Sequence, residues 1–390
     1  MLSAEMNERL TCVDPGTPAG ELLRRYWHPV ATEAEITEET PKKRVRALGE
    51  DLVLYRDGQG RLGLVEEQCP HRSASLYYGF IEDDGLRCAY HGWKFDCTGK
   101  CIDMPFEPED ASIKDSVRQK AYSVQVLAGV IFAYLGPDPV PLLPRWDLLL
   151  REDGERKLYV LPKLECNWLQ VMENSCDPAH TYYLHAHTLS LKGRGEQGSY
   201  YYRPIEKMNF QTIKENAWCG IRKQRIYGGE DAEEELGHPV LFPCILLSPQ
   251  REHLVMHMRL PVDNTHTQIF RMQFTPNDDG KAQPQPNIIP MVRVPSLRDE
   301  DGEYHMNSFA SHDAMAWETQ GDVTDRSREN LGVTDQGIAQ YRRLLREQID
   351  LVEAGKEPHG VIRDEKINER IVIEVSTGQR RVAKELEAAK

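Results

Sequence analysis

Four side chains that commonly bind metals constrain this 390-residue sequence more than any other feature. Cys69 and His71 are followed, after sixteen residues, by Cys88 and His91, which gives the pattern C-x-H-x16-C-x2-H. Each pair combines one thiol with one imidazole in a short, loop-like stretch. The pattern therefore predicts two loops that meet in the fold around one metal centre.

The mixed pairs favour an iron–sulfur centre over zinc. In a Rieske [2Fe–2S] centre two cysteines hold one iron and two histidines hold the other, so each loop supplies one ligand of each kind. Zinc fingers also use two cysteines and two histidines, but they group like residues together. Cys97 and Cys101 follow closely, and we interpret them as free thiols on a strand and a turn rather than as a third metal pair.

Charge and cysteine content limit the partners and the compartment. The formal net charge is −14, and an acidic surface disfavours nucleic acids and anionic membranes. Nine cysteines, an odd number at uneven spacing, do not fit a disulfide framework. The first residues lack a basic stretch followed by an apolar one, so no signal peptide is predicted. We expect a soluble, cytoplasmic protein.

The texture of the sequence divides it into four parts. Residues 1–43 form an N-terminal segment, 44–136 an all-β domain with the Cys/His motif, 137–355 a second domain, and 356–390 a charged tail. The division at 136/137 falls in the proline-rich stretch GPDPVPLLPRW. We therefore predict an α+β protein of two domains.

Short strands and a few helices are predicted within these parts. A hairpin is expected in Tyr122–Gly136, and a second one joins Leu254–Leu260 to Gln268–Phe274 across PVDNTHT. The other predicted strands are Val45–Leu48, Leu52–Tyr55, Leu62–Glu66, Tyr200–Arg203 and Met208–Ile213. The predicted helices are Cys166–His187, Ser308–Gln320 and Asp335–Val352, and the end of the tail, KELEAAK, is expected to be a surface helix or disordered.

A second motif, E-N-x2-D-x2-H-x4-H, begins at Glu173 and contains His180 and His185. On an ideal helix these histidines point roughly 140° apart, so they can share a metal only if the helix ends or bulges between them. Pro178 can disturb the backbone there. Two histidines and one carboxylate leave open positions on Fe(II) for O2. Asp177 can reach the ring nitrogen of His180 that does not bind the metal. The alternative is a pair of ordinary polar helix residues, and we expect nearby His187 to lie outside the ligand set.

The carboxylate must come from elsewhere in the chain. The best candidate is Asp313, at the beginning of a predicted Ala-rich helix, and the competitors are Glu318, Asp322 and Asp325.

Together these motifs resemble the α-subunit of Rieske non-haem iron ring-hydroxylating oxygenases, from about residue 20 to about residue 350. The phrase from Trp317 to Gly332 and the PVDNTHT hairpin look most like the phthalate dioxygenase branch, which includes aryl O-demethylases. The segment GHPVLFP (237–243) is similar to O-demethylases of lignin-derived biaryls, the dehydrodivanillate type.

The resemblance implies a β-rich Rieske domain and a helix-grip catalytic domain in a homo-oligomer, commonly a trimer. It implies that electrons pass from one chain's cluster through Asp177 to the next chain's iron. Carried over by position, the cluster ligands are Cys69, His71, Cys88 and His91, and the iron ligands are His180, His185 and Asp313.

The expected function is that of a terminal oxygenase. It uses O2 and electrons from an NAD(P)H-dependent reductase, with a ferredoxin as a further partner, to O-demethylate a methoxylated lignin-derived aromatic acid and release formaldehyde. Ring hydroxylation of a phthalate-like acid and a Rieske electron-transfer protein without oxygenase activity are the alternatives. An acidic substrate needs a cation, for which Arg222, Arg225 and Arg271 are candidates, although each also fits a surface position.

Overall fold

A computed structural model describes residues 2–108, 112–191, 205–215, 217–227, 233–250 and 252–374 of the chain. The predicted strand Tyr200–Arg203 and the KELEAAK sequence lie outside the described residues. Among the described helices, none combines the length and the apolar composition needed to cross a bilayer.

The first part of the chain is mostly strands. Its helices are α1 (Ala4–Thr11), α2 (Pro18–Leu23) and α3 (Ile113–Ser116), with 3-10 turns at Glu33–Glu35 and Leu76–Tyr78. Its strands are β1 (Trp27–Thr32), β2 (Lys42–Ala47), β3 (Glu50–Arg56), β4 (Leu62–Glu66), β5 (Phe80–Glu82), β6 (Gly85–Arg87), β7 (Lys94–Phe95), β8 (Cys101–Asp103), β9 (Ala121–Leu127) and β10 (Val130–Tyr134).

These strands form two antiparallel sheets, in the orders β1-β10-β9-β4-β3-β2 and β5-β6-β7-β8. The predicted hairpin in Tyr122–Gly136 is confirmed as β9 and β10. Its two connecting residues, Ala128 and Gly129, both have positive φ, as the tightest hairpin turns require. The smaller sheet carries the second Cys/His pair between β6 and β7.

The second part of the chain combines one large sheet with helices. Its strands are β11 (Gly154–Val160), β12 (Ile205–Lys214), β13 (Cys219–Tyr227), β14 (Glu233–Leu241), β15 (Ile245–Pro249), β16 (Leu254–Pro261), β17 (Thr267–Pro276) and β18 (Met291–Arg293). Its helices are α4 (Asp147–Leu150), α5 (Trp168–Cys176), a π-helix (Thr181–His187), α6 (Thr188–Leu191), α7 (Phe309–Glu318) and α8 (Gln336–Glu353), with a 3-10 turn at Val333–Asp335.

The eight strands lie in the order β12-β13-β14-β15-β16-β17-β11-β18, and all neighbours are antiparallel except β11 and β18. The predicted hairpin across PVDNTHT is confirmed as β16 and β17. Helix α8 buries Tyr341, Leu345 and Ile349, which recur at helical spacing on one face. The predicted α+β class is therefore confirmed.

The predicted continuous helix Cys166–His187 is wrong. Helix α5 ends at Cys176, and Asp177 is extended, with φ −98° and ψ 112°. The ring of a proline pushes the preceding residue out of the helical φ/ψ region. Pro178 therefore keeps Asp177 out of the helix, and α5 ends at Cys176. Asp177 then accepts a hydrogen bond from the backbone N–H of Ala179 at 2.7 Å, which starts the next helical turn. The other two predicted helices are confirmed, as α7 and α8.

The two parts share one core and contact each other closely. The backbone N–H groups of Leu48 and Gly49 donate to the carbonyls of Pro261 and Val262, each at 2.9 Å. One buried apolar cluster includes residues of both parts. Strand β1 lies before residue 44 yet pairs with β10, and the division at residues 44, 137 and 356 stays a prediction.

Candidate functional site

Two loops of the same shape carry the Cys/His pairs. The backbone N–H of Cys69 donates to the carbonyl of Ala74 at 2.9 Å, and the carbonyl of Cys69 accepts from the N–H of Ser73 at 2.9 Å. In the second loop, the N–H of Gly92 donates to the carbonyl of Cys88 at 3.1 Å, and the N–H of Cys88 donates to the carbonyl of Trp93 at 2.8 Å. The residue four positions after each cysteine has positive φ, 58° at Ser73 and 76° at Gly92. The two loops therefore present their cysteines in the same way.

The loops bring the four predicted ligands together. Cys69 and Cys88 are 2% and 3% exposed, and the imidazole rings of His71 and His91 lie 4.5 Å apart. Burial and the neighbouring Cys88 thiol raise the pKa of Cys69 to about 12, although the backbone N–H of His71 opposes the shift. Two buried thiols beneath two partly exposed imidazoles fit a group that binds sulfur on one side and nitrogen on the other.

All nine cysteines are free, as the sequence predicts. Cys101 is the first residue of β8, and Cys97 lies in the turn before it, with its thiol donating to a carboxylate oxygen of Asp57 at 3.6 Å. These positions match the predicted strand and turn.

The break after α5 allows His180 and His185 to lie close together. His180 directly precedes the π-helix, and His185 lies within it. A π-helix pairs residues five apart, so His180 and His185 lie near one another along the same side. Their ring centroids are 5.2 Å apart, as the prediction of a bulge between them requires.

Asp313 completes this group from a different helix. Its Oδ1 lies 3.2 Å from His185 Nε2 and 3.9 Å from His180 Nε2. One ligand atom from each of the three residues lies within 4.8 Å of the others. Asp313 Oδ1 is buried and has no hydrogen-bond partner among the described residues, so the three side chains fit a shared cation.

Asp313 lies further along its helix than the sequence predicted, and its competitor Glu318 has other partners. Helix α7 begins at Phe309, so Asp313 lies in its second turn and not at its beginning. The competitor Glu318 binds Arg298 and the hydroxyl of Tyr304 at 2.7 Å each, away from the histidines. Asp322 and Asp325 do not belong to the cluster of possible metal ligands found among the described residues.

The Nδ1 atoms of His180 and His185 have different neighbours. Asp177 Oδ2 lies 3.5 Å from His180 Nδ1, which is the contact predicted from the sequence. Burial acts to raise the pKa of Asp177, but His180 and the Ala179 N–H lower it more, so this carboxyl is ionised. His185 Nδ1 instead lies 3.3 Å from Nδ1 of His312, which is fully buried. Sequence reasoning missed His312, although it immediately precedes Asp313.

A buried ion network fixes the helix that leads to the histidines. Glu173 in α5 accepts hydrogen bonds from the guanidinium groups of Arg326, at 2.7 to 3.1 Å, and Arg342 in α8, at 2.5 Å. Arg326 is fully buried, so loss of either partner leaves a buried charge unpaired. The glutamate that opens the second motif thus anchors α5 rather than reaching the cavity.

A cavity of about 140 Å³ lies between the histidines and one face of the large sheet. This volume is close to that of a ~150 Å³ cavity that holds benzene, so it accepts one aromatic ring. The sheet side presents four cationic residues and two histidines. They are Lys223, Arg225, His238, His257, Arg259 and Arg271.

The arginine candidates therefore have different positions. Arg225 is 2% exposed and, like Arg271, lines the cavity, so the surface interpretation is wrong for both. Arg222 does not line the cavity, and its guanidinium lies 5.7 Å from the ring of Trp218. Lys223 and Arg259 are cavity residues that sequence reasoning missed.

We call the four cationic residues of this lining (Lys223, Arg225, Arg259 and Arg271) the cationic face, and burial changes the pKa values there. It lowers the pKa of Lys223 to about 8 and that of Arg259 to about 10, so both are mainly protonated at neutral pH. It also lowers the pKa of His257 to about 3, which leaves that ring neutral. Arg259 and Arg271 form no ion pair with any carboxylate of the described residues. The face is therefore suited to an anion.

Comparison with known proteins adds independent findings. Residues 26–123 match the family model described as the Rieske [2Fe-2S] domain. The chain is 40% identical to the 5,5'-dehydrodivanillate O-demethylase oxygenase subunit of Sphingobium sp. SYK-6, over 95% of this chain and 86% of that protein. It is 36% identical to the phenoxybenzoate dioxygenase subunit alpha of Ectopseudomonas oleovorans (90% and 87% covered). It is 30% identical to the phthalate 4,5-dioxygenase oxygenase subunit of Pseudomonas putida (92% and 89% covered).

Solved structures share the fold. A complex of the oxygenase and ferredoxin of carbazole 1,9a-dioxygenase matches 94% of this chain and 98% of that chain, with a TM-score of 0.66. The sequence identity is 18%, so this likeness concerns the fold alone.

Proposed function

This chain belongs to the Rieske oxygenases as an oxygenase subunit, and from that membership we propose that it O-demethylates a methoxylated, lignin-derived aromatic acid. It uses O2 and electrons from an NAD(P)H-dependent reductase, directly or through a ferredoxin, and it releases formaldehyde. The observation that carries this proposal is the cationic face opposite His180, His185 and Asp313, which suits an aromatic carboxylate beside a metal centre. The 40% identity to an O-demethylase oxygenase subunit supports the reaction type.

The proposal gives each of the four loop residues a role at the [2Fe–2S] cluster. Cys69 and Cys88 would hold one iron of the cluster, and His71 and His91 would hold the other. Their burial and the 4.5 Å separation of the two rings support this assignment. The ring of Trp93 stacks on His71 at 4.3 Å and restricts its orientation.

Fe(II) is the proposed metal at His180, His185 and Asp313. A metal held by two histidines and one carboxylate would supply the activation of O2. Asp177 Oδ2, 3.5 Å from His180 Nδ1, would orient this ring so that its Nε2 faces the metal. Buried lining residues, among them Arg225 and Arg259, would limit the access of water to the reaction.

The cationic face orients the substrate in this proposal. An arginine or Lys223 pairs with the substrate carboxylate, and the methoxy group then points toward the triad. One oxygen atom enters a C–H bond of the methoxy carbon, and the resulting hemiacetal collapses to a phenol and formaldehyde. The second oxygen atom leaves as water, formed with two electrons from NAD(P)H and two protons.

We propose a homotrimer in which Asp177 carries the hydrogen-bonded path from a neighbouring copy's cluster loops to this chain's triad. Supporting this, four aromatic residues in or near the cluster-bearing part of the chain are exposed, and aromatic residues are enriched in protein interfaces. They are Tyr78, Phe80, Tyr90 and Phe106.

A turnover assay tests the reaction type. Purified protein, a surrogate reductase and NADH are given methoxylated and plain aromatic acids, and formaldehyde is measured against ring-oxidised product. We expect formaldehyde in a one-to-one ratio with the phenol formed. Oxidised rings without formaldehyde would replace the proposal by ring hydroxylation, which the similarity to two dioxygenase subunits favours as the second candidate.

An iron analysis tests the alternative of a pure electron carrier. The oxygenase holds about three irons per chain, whereas a protein with a cluster alone holds about two. The convergence of His180, His185 and Asp313 argues for the third iron. A preparation that keeps its cluster and takes up no further Fe(II) would favour the carrier.

A further inference from the structure

The two histidines of the triad are supported in different ways. His180 has the carboxylate of Asp177 next to its Nδ1, whereas His185 has the imidazole of His312. The Nδ1 atoms of His185 and His312 are 3.3 Å apart, and their rings are inclined by 24°. His312 takes no part in the proposed O-demethylation.

The direction of this hydrogen bond follows from the geometry of His185. Its Nε2 faces Asp313 Oδ1 at 3.2 Å, so Nε2 is the nitrogen available to a metal. A neutral imidazole that binds a metal through Nε2 carries its proton on Nδ1. His185 therefore donates from Nδ1, and Nδ1 of His312 accepts through its lone pair, which leaves the proton of His312 on Nε2.

We propose that His312 is a positioning residue that holds His185 in the orientation and tautomer required for metal binding. The proposal rests on the proposed function, because it assumes a metal at the triad. Metal-binding histidines commonly give their second nitrogen's proton to a neighbouring acceptor, which fixes the ring. Here the acceptor is an imidazole rather than a carboxylate.

The location of His312 makes it a rigid acceptor. It is fully buried in α7, and its backbone N–H donates to the carbonyl of Ser308 at 3.0 Å. The same helix carries Asp313 on the next residue, and the ring of Phe309 lies 4.6 Å from that of His185. Helix α7 thus supplies one ligand directly and fixes a second one through a hydrogen bond.

Fe(II) affinity tests this role without turnover. The mononuclear iron is removed with a chelator while the cluster is retained, and Fe(II) is titrated back to obtain Kd. In His312→Asn the amide oxygen replaces Nδ1 as an acceptor, whereas His312→Leu offers no acceptor. His28→Leu is the matched control, because His28 is as buried as His312 but lies outside the cavity, with its Nε2 next to the carbonyl of Leu23 at 2.8 Å.

We expect Fe(II) to bind about 10- to 100-fold more weakly to His312→Leu, as for other supporting residues of metal sites. His312→Asn should stay within about threefold of the wild type, and His28→Leu should match the wild type. The visible absorption of the cluster reports that each variant is folded. If His312→Leu does not fold, His312→Gln replaces it, because its amide reaches the Nε2 position and not Nδ1.

Three outcomes overturn the inference. Wild-type Fe(II) affinity in His312→Leu, or equal weakness in the Asn and Leu variants, overturns the positioning role and leaves the proposed function standing. A wild-type protein that takes up no third iron, with His180→Ala indistinguishable from it, overturns the proposed function and this inference with it.

Discussion

The cluster loops and the triad are two candidate metal sites built in opposite ways. The first takes all its ligands from residues 69–91, in two loops closed by the same pair of backbone hydrogen bonds. The second joins a π-helix to a helix more than a hundred residues later, as the separation of 127 between His185 and His312 illustrates. Local hydrogen bonds preform the first site, whereas the second exists only after α5, α7 and the large sheet have packed together.

The surroundings of the two sites also differ. The imidazoles of the cluster loops are partly exposed and have aromatic side chains in their vicinity, which suits contact with another protein. The triad faces a cationic cavity, which suits a small anion. Under the proposed function, the first site would exchange electrons with a partner and the second would hold a substrate.

The largest expected effect separates the two sites. Asp313→Ala should lower the iron content from about three to about two per chain and reduce turnover at least about 100-fold, while the cluster absorption remains. Cys88→Ser should abolish the cluster absorption, because a thiolate ligand is lost. Glu318→Ala, on the same helix as Asp313, is the control and should keep the full iron content. Full turnover by Asp313→Ala would contradict the triad assignment.

The next effect concerns the cationic face. Arg225, Arg259 and Arg271 are each replaced by Met. The variant that lacks the residue binding the carboxylate should show a KM for the aromatic acid that is about 10- to 100-fold higher. A hydrogen bond to a charged group contributes about 1.5–3 kcal/mol, and 1.4 kcal/mol is tenfold in affinity.

Arg222→Met is the matched control for this series, because Arg222 lies on the same strand as Arg225 but outside the cavity. Steady-state kinetics should show KM unchanged in that control. An unchanged KM in all three cavity variants would rule out the cationic face as the substrate's anchor.

The smallest expected effect is a pH dependence. Because burial lowers the pKa of Lys223 to about 8, its ammonium is charged below that pH and neutral above it. KM for an anionic substrate should therefore rise up to about tenfold between pH 7 and pH 9.

Lys223→Arg should remove this rise, since arginine stays charged throughout the range. Lys214→Arg, at an exposed position paired with Glu347, should leave the wild-type pH profile unchanged. The same rise in Lys223→Arg as in the wild type would assign the titration to another group.

The sequence by itself predicted the features that depend on local spacing. The mixed Cys/His pairs identified the cluster motif, strand alternation and turn residues predicted both hairpins, and helical spacing predicted α7 and α8. The separation of His180 and His185 by five residues also required a bulge, which the π-helix provides. In each case the interacting residues lie close together in the chain, so their spacing carries the information.

The tertiary structure decided what depends on long-range packing. Lys223 and Arg225 alternate along one strand, as do His257 and Arg259 along another, so each pair shares a face of the sheet. The spacing does not indicate whether this face is exposed to solvent or packs against the helices that carry the triad. The pairing of His312 with His185 likewise exists only because α7 packs against the π-helix. The spacing of residues along a strand or helix determines which side chains share a face. The packing of segments that are distant in the sequence determines which residues that face contacts.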